Sequence, residues 1–177
     1  MKVAQGAIIQ AVYELLNDKI YSGDAAQPYT LSYIKRVTDD GGSIELSTCF
    51  SDNTAFTSYI PVFSSQTPTF KADAYIFIYG LQSQEVGPVD SFIHDNIISV
   101  KCALSIDGGS ISADDLNDFG NTVANIMQPT TFSQITVTGF AVVDQQLQNV
   151  NYVLPQISDS RYEWSVTLDW LLRVEEI

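Results

Sequence analysis

The chain has 177 residues, of which 45% are hydrophobic and 16% charged, a composition typical of a globular domain and unlike that of a disordered segment. It carries 21 acidic and 8 basic residues, for a net charge of −13. The basic residues are scattered, with only Lys35 and Arg36 adjacent. Nucleic-acid binding needs clustered Lys and Arg, and an anionic membrane repels an acidic surface, so neither partner is predicted. We predict one domain covering residues 1–177.

The sequence contains no apolar stretch long enough to span a membrane and no apolar run typical of a signal peptide. Cys49 and Cys102 each fall in a stretch with strand character. We interpret them as small buried hydrophobic residues rather than as a disulfide or a reactive thiol. These features predict a protein of the reducing cytoplasm, or one assembled there.

The first predicted element is a helix that ends at Ser22 and Gly23. Its apolar residues recur at spacings of three and four and form one stripe: Ile8, Ile9, Val12, Leu15, Leu16 and Ile20. Residues 28–63 then form a hairpin and loop insertion. Alternating residues on both sides of the Asp-Asp-Gly-Gly turn at 39–42 predict the hairpin, and a short extended piece follows around residues 59–63.

The middle of the chain predicts two strands and a helix. Residues 74–79 are continuously apolar and indicate a central strand covered on both faces, whereas residues 98–106 alternate and indicate a half-exposed strand. A loop is predicted between them, over residues 81–95. The second helix begins with a capping box formed by Ser112 and Asp115, and Pro129 ends it. Its buried stripe comprises Leu116, Phe119, Val123, Ile126 and Met127, and Gly120 within it indicates close packing.

Three further strands are predicted at the end of the chain, over residues 135–143, 147–154 and 161–177. Residues 144–146 connect the first two. The long C-terminal strand alternates, and its even-numbered residues from Tyr162 to Val174 form the face expected to pack on the helices. The predicted fold class is α+β, with a mainly antiparallel β-sheet, two α-helices packed on one face and the inserted hairpin.

No catalytic, cofactor-binding or metal-binding residue can be named from the sequence. His94 is the only histidine and is predicted in a loop, and no serine, phosphate-binding or zinc motif is present. Gly108 and Gly109 precede a helix, but the neighbouring acidic residues oppose a bound phosphate. Residues 107–115 hold several possible calcium ligands, which helix capping already explains. We therefore predict a protein that is not an enzyme and has no cofactor.

The order of these elements resembles that of the tail terminator or neck proteins of long-tailed bacteriophages. The resemblance rests on the opening helix AIIQAVYELLNDKI, the strand ADAYIFIYG, the segment HDNIISVKCALSI, the helix SADDLNDFGNTVANIMQ and the closing strand RYEWSVTLDWLLRV. It covers most of the chain and rests on element order rather than on a diagnostic residue motif. The segment 28–63 is longer than the linker expected in this family.

The resemblance implies a virion protein, assembled in the host cytoplasm, that forms a hexameric homo-oligomeric ring where the tail meets the head. Its partners would be copies of itself, the tail tube and the head-side connector, and DNA would pass through without specific binding. The acidic net charge suits such a channel, since it repels the phosphates. Closed cyclic symmetry would let each subunit use two different surfaces.

A second prediction concerns how subunits would meet. The strand 161–177 is long enough to outrun its own sheet, and its polar face becomes apolar at Leu171 and Ile177. We predict a subunit interface at Leu171, Arg173, Val174 and Ile177 through main-chain pairing with an adjacent copy. Deletion of residues 173–177 would then leave a folded monomer.

Alternative functions remain open from the sequence alone. A head-completion or baseplate protein would share the same composition. A carbohydrate-binding module would use aromatic side chains, although Tyr75, Tyr79, Trp164 and Trp170 are predicted in the sheet core. An unrecognised hydrolase would need His94 or a pair of acidic residues.

Overall fold

The protein is described by a computed structural model. The described residues are 4–17, 19–22, 29–31, 36–37, 43–44, 60–64, 74–88, 92–107, 112–128, 135–158 and 161–177. They form two helices and a five-stranded, mostly antiparallel sheet, so the predicted α+β fold class is confirmed.

The secondary-structure elements are named in chain order. They are α1 (Ala4–Leu16), β1 (Tyr21–Ser22), β2 (Thr30–Leu31), β3 (Arg36–Val37), β4 (Ser43–Ile44), β5 (Val62–Phe63), β6 (Ala74–Glu85), β7 (Ile93–Asp107), α2 (Ala113–Met127), β8 (Phe140–Ser158) and β9 (Arg161–Glu176). The main sheet has the order β5-β6-β7-β9-β8, in which only the β5–β6 pair is parallel. Strand β8 is therefore at one edge, and β9 lies inside the sheet.

One face of the sheet, here called the inner face, packs against both helices. Along one line across the sheet, Ile76, Cys102 and Val166 are directly opposite one another and at most 1% exposed. Helix α2 crosses β9 at Gly120, where an added Cβ would be 3.0 Å from Val166 Cγ1. Helix α1 crosses β6 at Gly80, where an added Cβ would meet the Gln5 side chain. The two helices thus cover the same face, and the core lies between them and the sheet.

Helix α1 is held by its apolar stripe. Ile8, Val12 and Leu16 are fully buried, and each contributes about 1.5–3 kcal/mol relative to an exposed position. Ile9 and Leu15 pack only partly against the core. The helix ends at Leu16, earlier than predicted, and Ile20 is buried after the helix rather than within it. Ser22, predicted to end the helix, belongs to β1.

Helix α2 begins and packs as its sequence predicts. The Asp115 amide donates to Ser112 Oγ at 3.0 Å, and the Ser112 amide donates to the Asp115 carboxylate at 3.1 Å. This capping box satisfies amides that the first turn leaves without helical partners. The five residues of the predicted stripe are all buried, and Gly120 makes the predicted close approach. Pro129 lies outside the described residues.

Two predictions for the middle of the sheet are wrong. Strand β6 is not covered on both faces, because Ala74, Ile76 and Ile78 are buried while the alternating aromatic residues are partly exposed on the outer face. The predicted loop over 81–95 is largely strand, since β6 continues to Glu85 and β7 begins at Ile93. A register shift between Gly80 and Gln82 allows β6 to continue.

The two strands predicted over 135–143 and 147–154 are largely one strand. Strand β8 runs from Phe140 to Ser158 and pairs with β9 along its length. Its register shifts at three places, between Val142 and Asp144, between Leu147 and Asn149, and between Val153 and Gln156. Residues 144–146, which looked like a connection, lie between two of these shifts and pair in register with residues 171–173 of β9.

The segment 28–63 is partly described. Strands β3 and β4 pair antiparallel, with Arg36 opposite Ile44 and Val37 opposite Ser43, which confirms the strand pairing of the predicted hairpin. Strand β5 confirms the predicted extended piece and pairs with β6. Strands β1 and β2 pair in parallel before the hairpin. The other predicted parts of this insertion lie outside the described residues.

Candidate functional site

The predicted interface residues lie in β9 or directly after it. Strand β9 is paired on both sides: Leu171 is opposite Ile97 on β7 and opposite Gln146 on β8. The same double pairing continues to Glu175. The expectation that this end outruns its own sheet is therefore wrong, because its main-chain groups already bind strands of the same chain. A contact of these residues with a neighbour stays a prediction without that mechanism.

The side chains of this segment differ in exposure. Val174 is fully buried on the inner face, whereas Ile177 is 79% exposed. Arg173 donates to Asp95 through Nε and Nη2 at 2.7 and 2.8 Å. The hydrogen bonds to Asp95, followed by its charge and that of Asp144, raise the pKa of Arg173. Arg173 therefore binds a carboxylate of its own subunit, and Ile177 is the most accessible of the four residues.

His94 is not in a surface loop as predicted. It lies in β7, is 6% exposed, and its ring packs edge-on against Phe140 at 6.2 Å. Val174 is directly opposite it on β9. His94 is thus part of the inner face, beside the apolar side chains of Phe140 and Val174.

The Gly-Gly and calcium alternatives are only partly described. Gly108 and Gly109 lie outside the described residues, whereas Ser112 and Asp115 form the capping box of α2. In the part of the chain that the structure describes, no group of three or more His, Cys, Asp and Glu side chains is placed to hold a metal ion. Cys102 is a free thiol, and burial raises its pKa, which keeps it protonated. Cys49 lies outside the described residues.

The outer face carries a polar cluster, which consists of Tyr75, Lys101 and Glu163. Lys101 Nζ donates to Glu163 Oε1 at 2.6 Å, and the Tyr75 hydroxyl donates to Glu163 Oε2 at 2.9 Å. Desolvation and the Glu163 charge raise the pKa of Tyr75. Burial alone would lower the pKa of Lys101, but the hydrogen bond and charge of Glu163 and the contact with Tyr75 outweigh it, so the pKa is raised. The cluster joins β6, β7 and β9.

Aromatic side chains line the outer face along β5 and β6. Phe77 and Tyr79 stack with centroids 5.4 Å apart, and Phe63 meets Tyr75 edge-on at 6.4 Å. Tyr75 and Tyr79 are therefore outside the core, contrary to the prediction. Trp170 is 3% exposed on the inner face and Trp164 packs against the core, which confirms the prediction for these two residues.

Strand β8 is the most exposed part of the sheet. No described strand pairs with its outer edge. Its exposed apolar side chains are Val143 at 51%, Leu147 at 40%, Val150 at 42%, Tyr152 at 59% and Val153 at 39%. Residues 145–158 contain no Asp, Glu, Lys or Arg, although the chain has a net charge of −13. We call residues 143–153 the β8 edge.

The opposite side of the sheet has a second exposed segment. Strand β5 covers β6 only beside Ile76 and Phe77. Beyond these residues β6 continues to Glu85, and residues 81–85 are all exposed, with Leu81 at 55%. Residues 80–84 carry no charge. We call residues 80–85 the β6 edge.

The β8 edge is fastened to α2 by side chains. Gln145 Nε2 donates to the Met127 carbonyl, in the last turn of α2. The Tyr152 hydroxyl donates to Asn117 Oδ1 in the same helix. Carbonyls in the last turn of a helix lack helical partners, so the Gln145 amide satisfies one of them. These contacts fix the position of the edge strand relative to the core.

Two buried polar atoms lie near this end of the sheet. Asn96 Oδ1 and Trp170 Nε1 have no hydrogen-bond partner among the described residues. Asn96 lies opposite Leu172, and Ile98 lies opposite Trp170, so the two side chains are diagonal neighbours on the inner face. Asn96 Oδ1 is an acceptor and Trp170 Nε1 is a donor, and burying each atom without a hydrogen bond costs free energy of folding.

No protein-family model matches the chain, and no curated protein is detectably similar to it. Neither described helix has the length and apolar character that a membrane span requires.

Sequence reasoning missed both exposed edges. Residues 81–85 were assigned to a loop, and residues 144–146 to a connection between strands. The signal that could have found them is the absence of charge over residues 74–84 and 145–158 in a strongly acidic chain. Edge strands often carry charges that prevent pairing with other chains, and these segments lack most of that protection.

Proposed function

We propose that the chain is a structural virion protein of a tailed bacteriophage, which forms a homo-oligomeric ring at the head–tail junction. It would end the tail tube, dock to the head-side connector and let DNA pass without specific binding. The observation that carries the proposal is the β8 edge, a long strand edge with exposed apolar side chains and a single charged residue, Asp144. Such an edge is a template for pairing with another chain and is rarely left open on a monomer.

The charge distribution supports the same role. Lys101 and Arg173 are each paired with a carboxylate, so the charge of these two basic residues is already balanced within the chain. The chain keeps a net charge of −13, which repels DNA phosphates. A ring built from such subunits would present a channel to which DNA does not adhere.

The test is to locate the chain in phage particles. Tailed particles would be purified from cells producing the chain, its copy number measured by mass spectrometry, and its position determined by antibody labelling in electron micrographs. We expect a small fixed copy number and label at the head–tail junction. Particles made without the chain should have headless tails or tails of uncontrolled length. A chain absent from purified particles would refute the proposal, and label at the baseplate or on the head would indicate another structural role.

A second candidate function is a non-catalytic binding module for carbohydrate. The outer-face aromatic row favours it, since stacked rings are a common surface for sugars. The measurement is binding to a glycan array by the intact chain and by Phe77→Ala and Tyr79→Ala variants. Binding that both variants lose would support this function, and an array without signal would count against it.

A further inference from the structure

We propose that subunits assemble head to tail by pairing the β8 edge of one copy with the β6 edge of the next. The occupant of each edge is a second copy of this chain. This inference rests on the proposed ring and identifies the two surfaces that would form it. The result would be one sheet that continues from subunit to subunit.

The strand directions permit this pairing. Strand β6 is antiparallel to β7, β7 to β9 and β9 to β8, so β8 runs opposite to β6. A copy rotated about an axis parallel to the strands therefore brings its β6 antiparallel to β8 of the first copy. Antiparallel pairing is the geometry already used throughout most of the sheet. The two edges are on opposite sides of the sheet, as a closed heterologous ring requires.

The two edges also lie at the same height along the strands. Gln82 is opposite Ile97, Ile97 opposite Leu171, and Leu171 opposite Gln146. Gln82 and Gln146 are thus the two ends of a single row across the sheet, and both are exposed. If the sheet continues at this level, Gln146 of one copy faces Gln82 of the next, and residues 143–148 of β8 pair with the β6 edge. Asn151 is level with Phe77, which β5 already covers, so the pairing stops before it.

Charge favours these edges over the rest of the surface. Two copies that each carry −13 repel each other, and each of these edges adds only one acidic residue at the contact, Asp144 on the β8 edge and Glu85 on the β6 edge. With Gln146 opposite Gln82, Asp144 faces Gln84 and Glu85 faces Val143 of the other copy, so no two acidic residues are directly opposite. Asp144 is also opposite Arg173 within its own sheet. Like charges directly opposite would be destabilising, and this register avoids them.

The experiment is disulfide cross-linking of the full chain in a Cys49→Ser background, with the buried Cys102 left in place. Gln82→Cys is combined in one chain with Gln146→Cys, Asn149→Cys or Asn151→Cys, which covers shifted registers. We expect at least one combination to give a series of covalent oligomers under oxidising conditions. Each single variant should stay uncross-linked. A mixture of a Gln82→Cys chain with a Gln146→Cys chain should stop at the dimer, because each chain then offers one reactive edge.

Three outcomes would overturn the inference. Dimers from Gln146→Cys alone would show that two β8 edges pair with each other. Dimers from Gln82→Cys alone would show that two β6 edges pair. No cross-linked species from any combination, at concentrations up to the solubility limit, would show that these edges do not meet. If the chain is found at the head–tail junction but gives no cross-links, this inference is refuted and the proposed function is not.

Discussion

Gly6 and Gly120 are both helical glycines, but their surroundings differ. A Cβ added at Gly6 meets nothing within 4 Å, whereas one added at Gly120 would be 3.0 Å from Val166 Cγ1. Alanine is favoured over glycine in helices by about 1 kcal/mol. Only Gly6 can realise this gain without moving a neighbour, because Val166 is buried and stiff at χ1.

We therefore expect Gly6→Ala to raise the free energy of unfolding by about 0.5–1 kcal/mol and Gly120→Ala to lower it or leave it unchanged. Urea denaturation of both variants and the parent chain measures the difference. In a Val166→Ala background the neighbouring methyl groups are gone, so Gly120→Ala should become stabilising. Equal stabilisation by both glycine substitutions in the parent chain would contradict the close packing of α2 on β9.

The outer-face cluster of Tyr75, Lys101 and Glu163 predicts a loss of stability at alkaline pH. The folded pKa values of Tyr75 and Lys101 are raised above their ordinary values of 10.0 and 10.5. The folded state thus holds these protons more tightly than the unfolded state. The stabilisation is fully present below pH 10 and is lost as the pH rises through the raised values.

We expect a Lys101→Met, Tyr75→Phe double variant, which removes both titrating groups, to lower the free energy of unfolding by about 1 kcal/mol at neutral pH and to flatten its decrease above about pH 10. Denaturation curves collected at a series of pH values provide the measurement. Lys19→Met is the matched control, since Lys19 is exposed and lies outside this cluster. If both variants keep the same alkaline profile as the parent chain, the cluster does not contribute this linkage.

At the scale of elements, the end of β9 is a central strand rather than a free tail. Val174 is fully buried, and Arg173 binds Asp95 with two hydrogen bonds. Removing residues 173–177 would expose the ends of β7 and β8 together with their apolar side chains. The deletion therefore tests the fold, and it cannot serve as a test of assembly alone.

We expect deletion of residues 173–177 to lower the free energy of unfolding by about 3–5 kcal/mol, since it removes a buried side chain and two-sided strand pairing. Deletion of Ile177 alone should cost less than about 1 kcal/mol, because its side chain is 79% exposed. Thermal and urea denaturation measure both variants. A longer deletion that remained as stable as the parent chain would contradict the position of β9 within the sheet.

The sequence predicted some elements well because their signals are local. Helix α2 was predicted with its cap, stripe and close glycine, since each depends on residues a few positions apart. Strand β8 was predicted as two strands because Asp144 and two glutamines look like a turn, and only pairing with β9 shows that the strand continues. Strand order and edge position depend on distant pairings. For this reason the sequence placed the candidate interface on β9, although the exposed edges are on β8 and β6.

For the whole molecule, the net charge of −13 opposes any contact between copies. We expect self-association to strengthen several-fold when the salt concentration rises from about 0.05 to 0.5 M, because the repulsion is screened while main-chain hydrogen bonding between strands is not. Sedimentation equilibrium at a series of salt concentrations measures the dissociation constant.

The exposed edges of the sheet offer a control for this measurement. Leu147→Lys places a charge on the β8 edge, as natural edge strands often do, and should weaken association. Asn125→Lys makes the same change of charge on an exposed position of α2 and should leave association intact or improve it. Association that weakens as salt rises would mean that ion pairs, rather than main-chain hydrogen bonds between strands, hold the copies together.

The hydrogen bond from Gln145 to the Met127 carbonyl has a mechanical consequence. The Gln145 backbone is part of the edge strand β8, and the Gln145 side chain donates a hydrogen bond to the last turn of α2. A force applied to β8 would therefore be resisted by the hydrogen bonds between β8 and β9. It would also be resisted by the Gln145 hydrogen bond to α2, and the helix would transmit this part of the force to the core. An edge strand held only by its neighbour could peel away under load. This one is anchored at two levels, as a strand that joins subunits under tension would need to be.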